Sequence, residues 1–153
     1  MKRYQGINLL YFPFRQKIMA GLEDAWSDGI PVRIFETFRT RQRQSAIYAQ
    51  GRTTEGPIIT RAMPGHSYHN YGIAVDLVMY VDGKWDWSDT ALYRKLGPYF
   101  QRYGVRWLGD TTGDLVHYQM ITPYGVRDLQ EIYDEGGLEK VWMILDEVRL
   151  VSC

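Results

Sequence analysis

The sequence contains a single cysteine among its 153 residues, and this cysteine is the last residue, Cys153. One cysteine cannot form an intrachain disulfide, so the fold must be stabilised by a packed core rather than by covalent cross-links. A thiol at the chain terminus is also poorly placed to act as a nucleophile. The cysteine content therefore excludes a disulfide-rich scaffold and leaves the redox compartment open.

The sequence also lacks net charge and long apolar runs. Lys plus Arg and Asp plus Glu number 18 each, whereas nonspecific nucleic-acid binding needs a strongly basic surface. No apolar run approaches the ~20 residues of a membrane-spanning helix. The run 7–14 is short, contains Asn8 and Pro13, and lacks a cleavage site, so we do not interpret it as a signal peptide. We expect a soluble protein without nucleic-acid partners or an integral membrane segment.

The composition instead favours one packed domain. Hydrophobic residues make up 45% of the chain and aromatic residues 14%. A chain of this length buries roughly two thirds of its unfolded surface on folding. Because no repeat, low-complexity tract or linker divides the sequence, we expect a single domain over residues 1–153 that is a monomer.

Hydrophobic periodicity predicts an α+β fold with a small antiparallel sheet flanked by helices. Helices are predicted over 13–26, 41–50, 88–96 and from Pro123 onward, and strands over 32–38, 73–79, 84–87 and 115–120. Asp82-Gly83 predicts a two-residue hairpin turn. Residues 51–68 are rich in Gly, Pro, Thr and Arg, and a loop of this length is usually functional or mobile.

Helix ends are indicated by capping and breaking residues. Thr40 and Ser88 are predicted N-caps, because their hydroxyls can accept a hydrogen bond from the first turn. Gly97-Pro98 is expected to break the helix that Ser88 begins and to start a second helical turn through Tyr103. Gly136-Gly137 is expected to divide the C-terminal helical segment into two helices.

Asp76 lies in the apolar run 73–79, where a half-buried strand is expected. A buried charge is costly unless it is paired or bound to a metal. His69 precedes Asp76 by seven residues, and His117 belongs to another predicted strand. Catalytic zinc sites use three such ligands and leave the fourth position to water. The spacing is therefore compatible with a metal site, but also with a hydrogen-bonded histidine and an edge-strand carboxylate.

A zinc hydrolase also needs a base that takes the proton of the attacking water. Asp114 lies three residues before His117, at the predicted loop-to-strand junction. Asp110 is a poorer candidate, because the glycines of its loop leave its direction undefined. Tyr68, Tyr71, Tyr118 and Trp107 could line the same cleft or could equally pack in the core.

The order of these residues resembles a known signature. Ser67-x-His69-x2-Gly72-x-Ala74-x-Asp76, followed by Asp114-x2-His117, is similar to the motifs of the zinc D-Ala-D-Ala carboxypeptidase and L-alanyl-D-glutamate endopeptidase family (peptidase family M15, VanY-like). That family shares its metal-site architecture with lysostaphin-type peptidases and the hedgehog signalling domain. The segment Phe38-Arg39-Thr40 resembles the family's tyrosine–arginine–serine block, so the resemblance covers roughly residues 30 to 120.

The resemblance implies a role for each matching residue. His69, Asp76 and His117 would bind Zn2+, and Asp114 would be the catalytic base. Arg39 would bind the substrate and stabilise the oxyanion, for which a permanently charged guanidinium is suited. Ser67 would donate a hydrogen bond to the substrate, although a loop-capping hydroxyl is an equal interpretation.

Some positions depart from the family pattern. Phe38 replaces the usual tyrosine, so any role of that hydroxyl is absent. Asp114 stands where many relatives have glutamate, a form similar to that of phage endolysin-type L-Ala–D-Glu peptidases. His66 is an additional histidine that could rival His69 as a ligand, although we favour a structural or cleft-edge role for it.

The protein is expected to be a zinc metallopeptidase that hydrolyses the peptide stem of bacterial peptidoglycan, at the L-Ala–D-Glu bond, in endolysin-type lysis of the cell wall. It would be made in the cytoplasm and reach the wall after membrane permeabilisation or by another export route, without a separate wall-binding domain. D-Ala-D-Ala carboxypeptidase or dipeptidase activity is the same-class alternative, and a zinc-stabilised binding domain without turnover is the alternative of another class.

Overall fold

The computed structural model describes residues 1–151, so Cys153 lies outside the described residues. The chain forms two compact units. The sheet unit comprises Tyr4–Phe38 and Gly72–Ile121, and the helical unit comprises Met1–Arg3, Arg39–Tyr71 and residues 122–151. The expectation of a single catalytic domain stays a prediction. Within residues 1–151, no helix has the length and apolar character needed to cross a membrane.

The sheet unit contains an antiparallel sheet. Its strands are β1 (Val32–Glu36), β2 (Ala74–Val81), β3 (Lys84–Asp86), β4 (Val105–Trp107) and β5 (His117–Met120). Their order is β1-β2-β5-β4, and β3 also pairs with β2. All of these pairs are antiparallel. The predicted α+β class with a small antiparallel sheet is therefore confirmed.

Helices supply the other elements of both units. The α-helices of the described residues are α1 (Phe12–Ser27), α2 (Arg41–Ala49), α3 (Thr90–Gln101) and α4 (Val126–Val151). In the sheet unit, α1 buries the apolar face predicted for it, including Phe14, Ile18 and Leu22. Burial of this face against α3 and the sheet forms the hydrophobic core of the unit.

The structure contains the hairpin turn, the N-cap of α2 and the division of the C-terminal helical segment that the sequence predicts. Asp82 and Gly83 both have positive φ, 50° and 75°, as the predicted hairpin turn requires. Thr40 caps α2, since its Oγ1 accepts a hydrogen bond from the Arg43 amide at 3.1 Å. In α4, the backbone is non-helical at Gly136 and Gly137. These predicted boundaries are confirmed.

Two predictions about α3 are wrong. The N-cap is Asp89 rather than Ser88, because the Asp89 carboxylate accepts from the Leu92 amide at 3.0 Å. Ser88 is held by Asp86, whose Oδ1 accepts from both the Ser88 amide and its hydroxyl. The helix also continues through Pro98 without a break, so the two helical segments predicted on either side form one helix. The fully buried Leu96 and Phe100 on either side keep it packed, which offsets the hydrogen bond that proline cannot make.

Two buried tyrosines of the sheet unit allow a test of the hydrogen-bond energetics of the core. The Tyr93 hydroxyl donates to the Asp86 carbonyl at 2.6 Å and accepts from the Met79 amide at 3.0 Å. The Tyr118 hydroxyl is buried and has no hydrogen-bond partner within residues 1–151. Burial raises the pKa of the Tyr118 phenol, so this group is a neutral, unsatisfied hydroxyl.

We therefore expect opposite results when each hydroxyl is removed. Tyr93→Phe leaves two backbone groups without their partner and should cost about 1–3 kcal/mol of stability. Tyr118→Phe removes an unsatisfied group and should leave the stability unchanged or raise it. Chemical denaturation of the metal-free proteins measures both. A loss for Tyr118→Phe as large as that for Tyr93→Phe would contradict this assignment.

Candidate metal centre

Asp76 and His117 face each other across the sheet. Strands β2 and β5 are antiparallel neighbours, and their register places Asp76 opposite His117. The His117 Nδ1 lies 3.4 Å from the Asp76 Oδ1, and these side chains are only 12% and 14% exposed. The strand pairing thus brings together two candidate ligands that are 41 positions apart in the sequence (117 − 76 = 41).

The residues around His117 shift its pKa and determine which ring nitrogen carries the proton. Burial lowers the pKa of His117, but the hydrogen bond and charge of Asp76 raise it, and Asp114 and Gln119 add to this effect. The net pKa of His117 is raised above the ordinary value of a histidine. The other ring nitrogen, Nε2, lies 2.9 Å from the Gln119 Oε1. Because an amide oxygen only accepts, this contact places a proton on Nε2, and Nδ1 is the nitrogen that faces Asp76.

His69 belongs to the helical unit, in a short 3-10 turn, Tyr68–Tyr71. Its side chain is almost fully buried, with 2% of the residue exposed. The Ser67 Oγ accepts a hydrogen bond from the His69 amide at 3.3 Å. The His69 carbonyl in turn accepts one from the Arg39 amide at 3.0 Å. The backbone of this candidate ligand is therefore held on both sides, and Ser67 has the capping role that the sequence left open.

In the part of the chain that the structure describes, His69, Asp76 and His117 form the group of side chains that could hold a metal ion. Each offers one ligand atom, and these atoms all lie within 4.8 Å of one another. Zinc–ligand bonds to nitrogen and oxygen are about 2.0–2.2 Å long, so two ligands of one tetrahedral ion lie about 3.4 Å apart. The donor types fit a zinc ion, and the widest ligand pair would close by up to about 1.4 Å on binding. His66 is not a member of this group.

Asp114 lies in the loop that precedes β5, in the same unit as Asp76 and His117. Its side chain is exposed, and its charge contributes to the raised pKa of His117. Asp110 is bound elsewhere, because its carboxylate accepts a hydrogen bond from the Gln101 side chain at 2.7 Å. The direction of Asp110, which the sequence left undefined, is thus set by Gln101. The role of Asp114 as a base stays a prediction.

Arg39 is buried in the helical unit, with 7% of the residue exposed. Its Nη1 donates to the Gln44 Oε1 at 3.0 Å. Gln44 is fully buried, and its Nε2 donates to the Ala62 carbonyl at 2.7 Å. The amide thus fixes the guanidinium and the long loop after α2 together. No sequence motif assigns a role to Gln44, but its place as a polar residue on the buried face of α2 is the signal that identifies it.

Three of the four candidate cleft aromatics lie in the core. Tyr71 and Tyr118 are fully buried, and Trp107 is 5% exposed. Tyr118 packs against Phe100 and Trp107. Tyr68 is partly exposed and donates a hydrogen bond to the Tyr124 carbonyl at 3.2 Å. The core interpretation of Tyr71, Tyr118 and Trp107 is therefore confirmed.

Comparison with known proteins adds a family match. The family model described as VanY, D-alanyl-D-alanine carboxypeptidase, matches residues 15–113. This range includes Arg39, Ser67, His69 and Asp76 and ends just before Asp114. The peptidoglycan L-alanyl-D-glutamate endopeptidase CwlK of Bacillus subtilis is 35% identical over 114 residues, which cover 63% of this chain and 65% of that protein. The chain thus aligns with slightly less than two thirds of this relative's length.

Solved structures share the fold. The L-Ala D-Glu endopeptidase ChiX of Serratia marcescens matches with a TM-score of 0.56 and 20% identity, over 78% of this chain and 90% of that one. A mutant of the vancomycin-resistance D,D-pentapeptidase VanY in complex with Zn(II) matches with a TM-score of 0.52 and 23% identity, over 84% and 80% of the two chains. These matches agree with the α+β architecture.

Proposed function

Because the chain belongs to the VanY D-alanyl-D-alanine carboxypeptidase family, we propose that it is a zinc-dependent peptidase that hydrolyses the peptide stem of bacterial peptidoglycan. The observation that carries this proposal is the cluster of ligand atoms from His69, Asp76 and His117, which lie within 4.8 Å of one another. Two imidazoles and one carboxylate form the ligand set of a hydrolytic zinc site, which leaves a further position for water.

His69, Asp76 and His117 would hold the zinc ion. When bound, zinc lowers the pKa of a coordinated water to about 7 and polarises a carbonyl oxygen. Gln119 orients His117, because its side-chain oxygen fixes the proton on Nε2 and leaves Nδ1 on the side of Asp76. Asp76, whose Oδ1 lies 3.4 Å from this nitrogen, would be the neighbouring ligand of the same ion.

Asp114 and Arg39 would carry the other steps of the reaction. The exposed Asp114 carboxylate takes a proton from the attacking water and delivers it to the amine that leaves. The buried guanidinium of Arg39, held by Gln44, donates to the substrate carboxylate or to the oxyanion of the tetrahedral intermediate. Ser67 would contact the substrate through its hydroxyl hydrogen, since its oxygen already accepts from the His69 amide.

The bond we propose is L-Ala–D-Glu. The CwlK relative, at 35% identity, is a peptidoglycan L-alanyl-D-glutamate endopeptidase, and the Asp114-x2-His117 motif resembles that of endolysin-type peptidases. In that setting the enzyme would act on the wall after its release from the cytoplasm, as a monomer within one catalytic domain. Release of terminal D-Ala is the second candidate, because the matching family is described as D-alanyl-D-alanine carboxypeptidase.

Digestion of intact muropeptides, with and without a metal chelator, tests the proposal. Mass spectrometry of the products should show new D-Glu amino termini, and the chelator should abolish them. Release of D-Ala would instead support the carboxypeptidase. If neither product formed while zinc remained bound, the proposed function would be wrong and a binding domain would remain.

We expect Gln119→Leu to weaken zinc binding. Without the Gln119 oxygen as acceptor, neither the tautomer nor the ring orientation of His117 is fixed. Removal of such a hydrogen-bond partner usually lowers metal affinity by about 10- to 100-fold. Competition with a chromophoric chelator measures the affinity. Gln101→Leu is the matched control, because its amide binds Asp110 in the preceding loop and its loss should leave the affinity unchanged. Equal affinities for Gln119→Leu and the wild type would contradict this role.

A further inference from the structure

The loop that carries Asp114 is anchored by one indole. Trp107 lies at the end of β4 and is 5% exposed. Its Nε1 donates a hydrogen bond to the Leu115 carbonyl at 2.9 Å. Leu115 directly follows Asp114 in the sequence, so this bond fixes the backbone beside the proposed base.

The direction of the Asp114 side chain depends on that backbone. Within residues 1–151, its carboxylate accepts no hydrogen bond that would orient it. Its amide donates to the Thr112 Oγ1 at 3.4 Å, and its carbonyl accepts from the His117 amide at 3.4 Å. Both of these bonds are long, whereas the indole bond to Leu115 has the ordinary length of a well-formed hydrogen bond. The best-formed contact next to Asp114 is therefore the one from Trp107.

The indole itself has little freedom to move. A Cβ at Gly97 would lie 2.4 Å from the ring of Trp107, and one at Gly109 would lie 2.1 Å from it. Any side chain at either position would displace the ring. Trp107 also stacks with Tyr118, with ring centroids 6.5 Å apart and planes inclined by 22°. The ring is thus held by α3, by the start of the loop and by the core.

We propose that Trp107 is a positioning residue for Asp114. Its tightly packed indole binds the Leu115 carbonyl and thereby determines the position of the proposed catalytic carboxylate. This inference rests on the proposed function. A second contact fixes the other end of the same loop, where the Gln101 side chain donates to Asp110 at 2.7 Å. That bond is exposed and lies four residues before Asp114 (114 − 110 = 4), so it provides a comparison within one loop.

Kinetics of matched variants test the inference. Trp107→Phe removes the indole N–H, and benzothienylalanine at position 107 removes it while keeping the ring shape. With either replacement we expect kcat to fall by about tenfold to a hundredfold, as for misplacement of a catalytic group by about 1 Å. KM and bound zinc should stay at wild-type values, because His117 is held in the β-ladder opposite Asp76. Gln101→Leu should change kcat by less than about twofold. Wild-type kcat in the benzothienylalanine protein would overturn the proposal.

A double-mutant cycle separates positioning of Asp114 from a general structural effect. If Trp107 acts through Asp114, Trp107→Phe should lower kcat in the wild-type background but leave the residual rate of Asp114→Asn almost unchanged. An equal factor in both backgrounds would show that the indole acts by another route, and the proposal would be wrong.

Amide hydrogen exchange supplies a readout that does not need activity. In the zinc-loaded protein, residues 111–116 should exchange faster after Trp107→Phe, while the β2 and β5 amides keep their protection. Unchanged exchange in 111–116 would overturn the anchoring. If the wild-type protein hydrolysed no muropeptide, the proposed function would fail by itself, and the exchange result would still decide whether Trp107 holds this loop.

Discussion

Asp114→Asn should retain zinc and lose most of its activity. The substitution keeps the shape of the side chain but removes the carboxylate that accepts a proton. General-base catalysis contributes typically about 10²- to 10⁴-fold, so we expect kcat to fall within that range while KM changes little. Single-turnover rates on a defined muropeptide measure the loss, and elemental analysis of the same samples verifies the bound metal.

Asp110→Asn is the matched control for this experiment. Asp110 lies in the same loop, but its carboxylate accepts a hydrogen bond from Gln101. The control should keep nearly full activity, because the Asp110 carboxylate is held away from the reaction by its own partner. If Asp114→Asn turned over at the wild-type rate, or if Asp110→Asn lost as much activity, the assignment of the base would be wrong.

His69→Ala should abolish stoichiometric zinc binding and, with it, the activity. Asp76 and His117 would remain as a pair, but two ligands do not form the three-ligand site of a catalytic zinc. Zinc should therefore no longer stabilise the variant, whereas a thousandfold excess of zinc over its Kd stabilises a native protein by about 4 kcal/mol. Thermal unfolding with and without zinc, each variant compared with its own metal-free form, measures this difference.

His66→Ala provides the control for the loss of a histidine in the same segment. His66 is partly exposed and does not belong to the group of ligand atoms that lie within 4.8 Å of one another. Its replacement should leave zinc stoichiometry and activity unchanged. The opposite pattern, with zinc lost in His66→Ala and retained in His69→Ala, would show that His66 is the ligand.

Asp76 could be singled out from the sequence because a charge inside an apolar strand is costly unless it is paired or bound to a metal, whereas the full set of candidate ligands depended on the resemblance to the family's motifs. Asp76 interrupts an apolar strand, and β2 indeed places it opposite His117. The hairpin at Asp82-Gly83 accounts for the pairing of β2 with β3. The pairing of β2 with β5, which places Asp76 opposite His117, joins segments about forty positions apart and follows from no local pattern.

Other features depend on contacts that local patterns do not reveal. The expected break at Pro98 is overridden by burial of its neighbours, and Asp89 caps α3 because Asp86 already binds Ser88. The roles of Gln44 and Gln119 follow from which partner each amide meets in the folded chain. The close packing around the Trp107 ring depends on two glycines, Gly97 in α3 and Gly109 after β4. Such partners become visible only when packing is known.

Reconstitution of the metal-free protein tests the central claim most directly. After removal of bound metal by a chelator, zinc is added back in steps, and muropeptide hydrolysis is followed at each step. Activity should be absent at the start, rise linearly with zinc and level off at one equivalent per chain. Hydrolysis that persists without metal, or that does not return when zinc is bound, would contradict a zinc peptidase built on His69, Asp76 and His117.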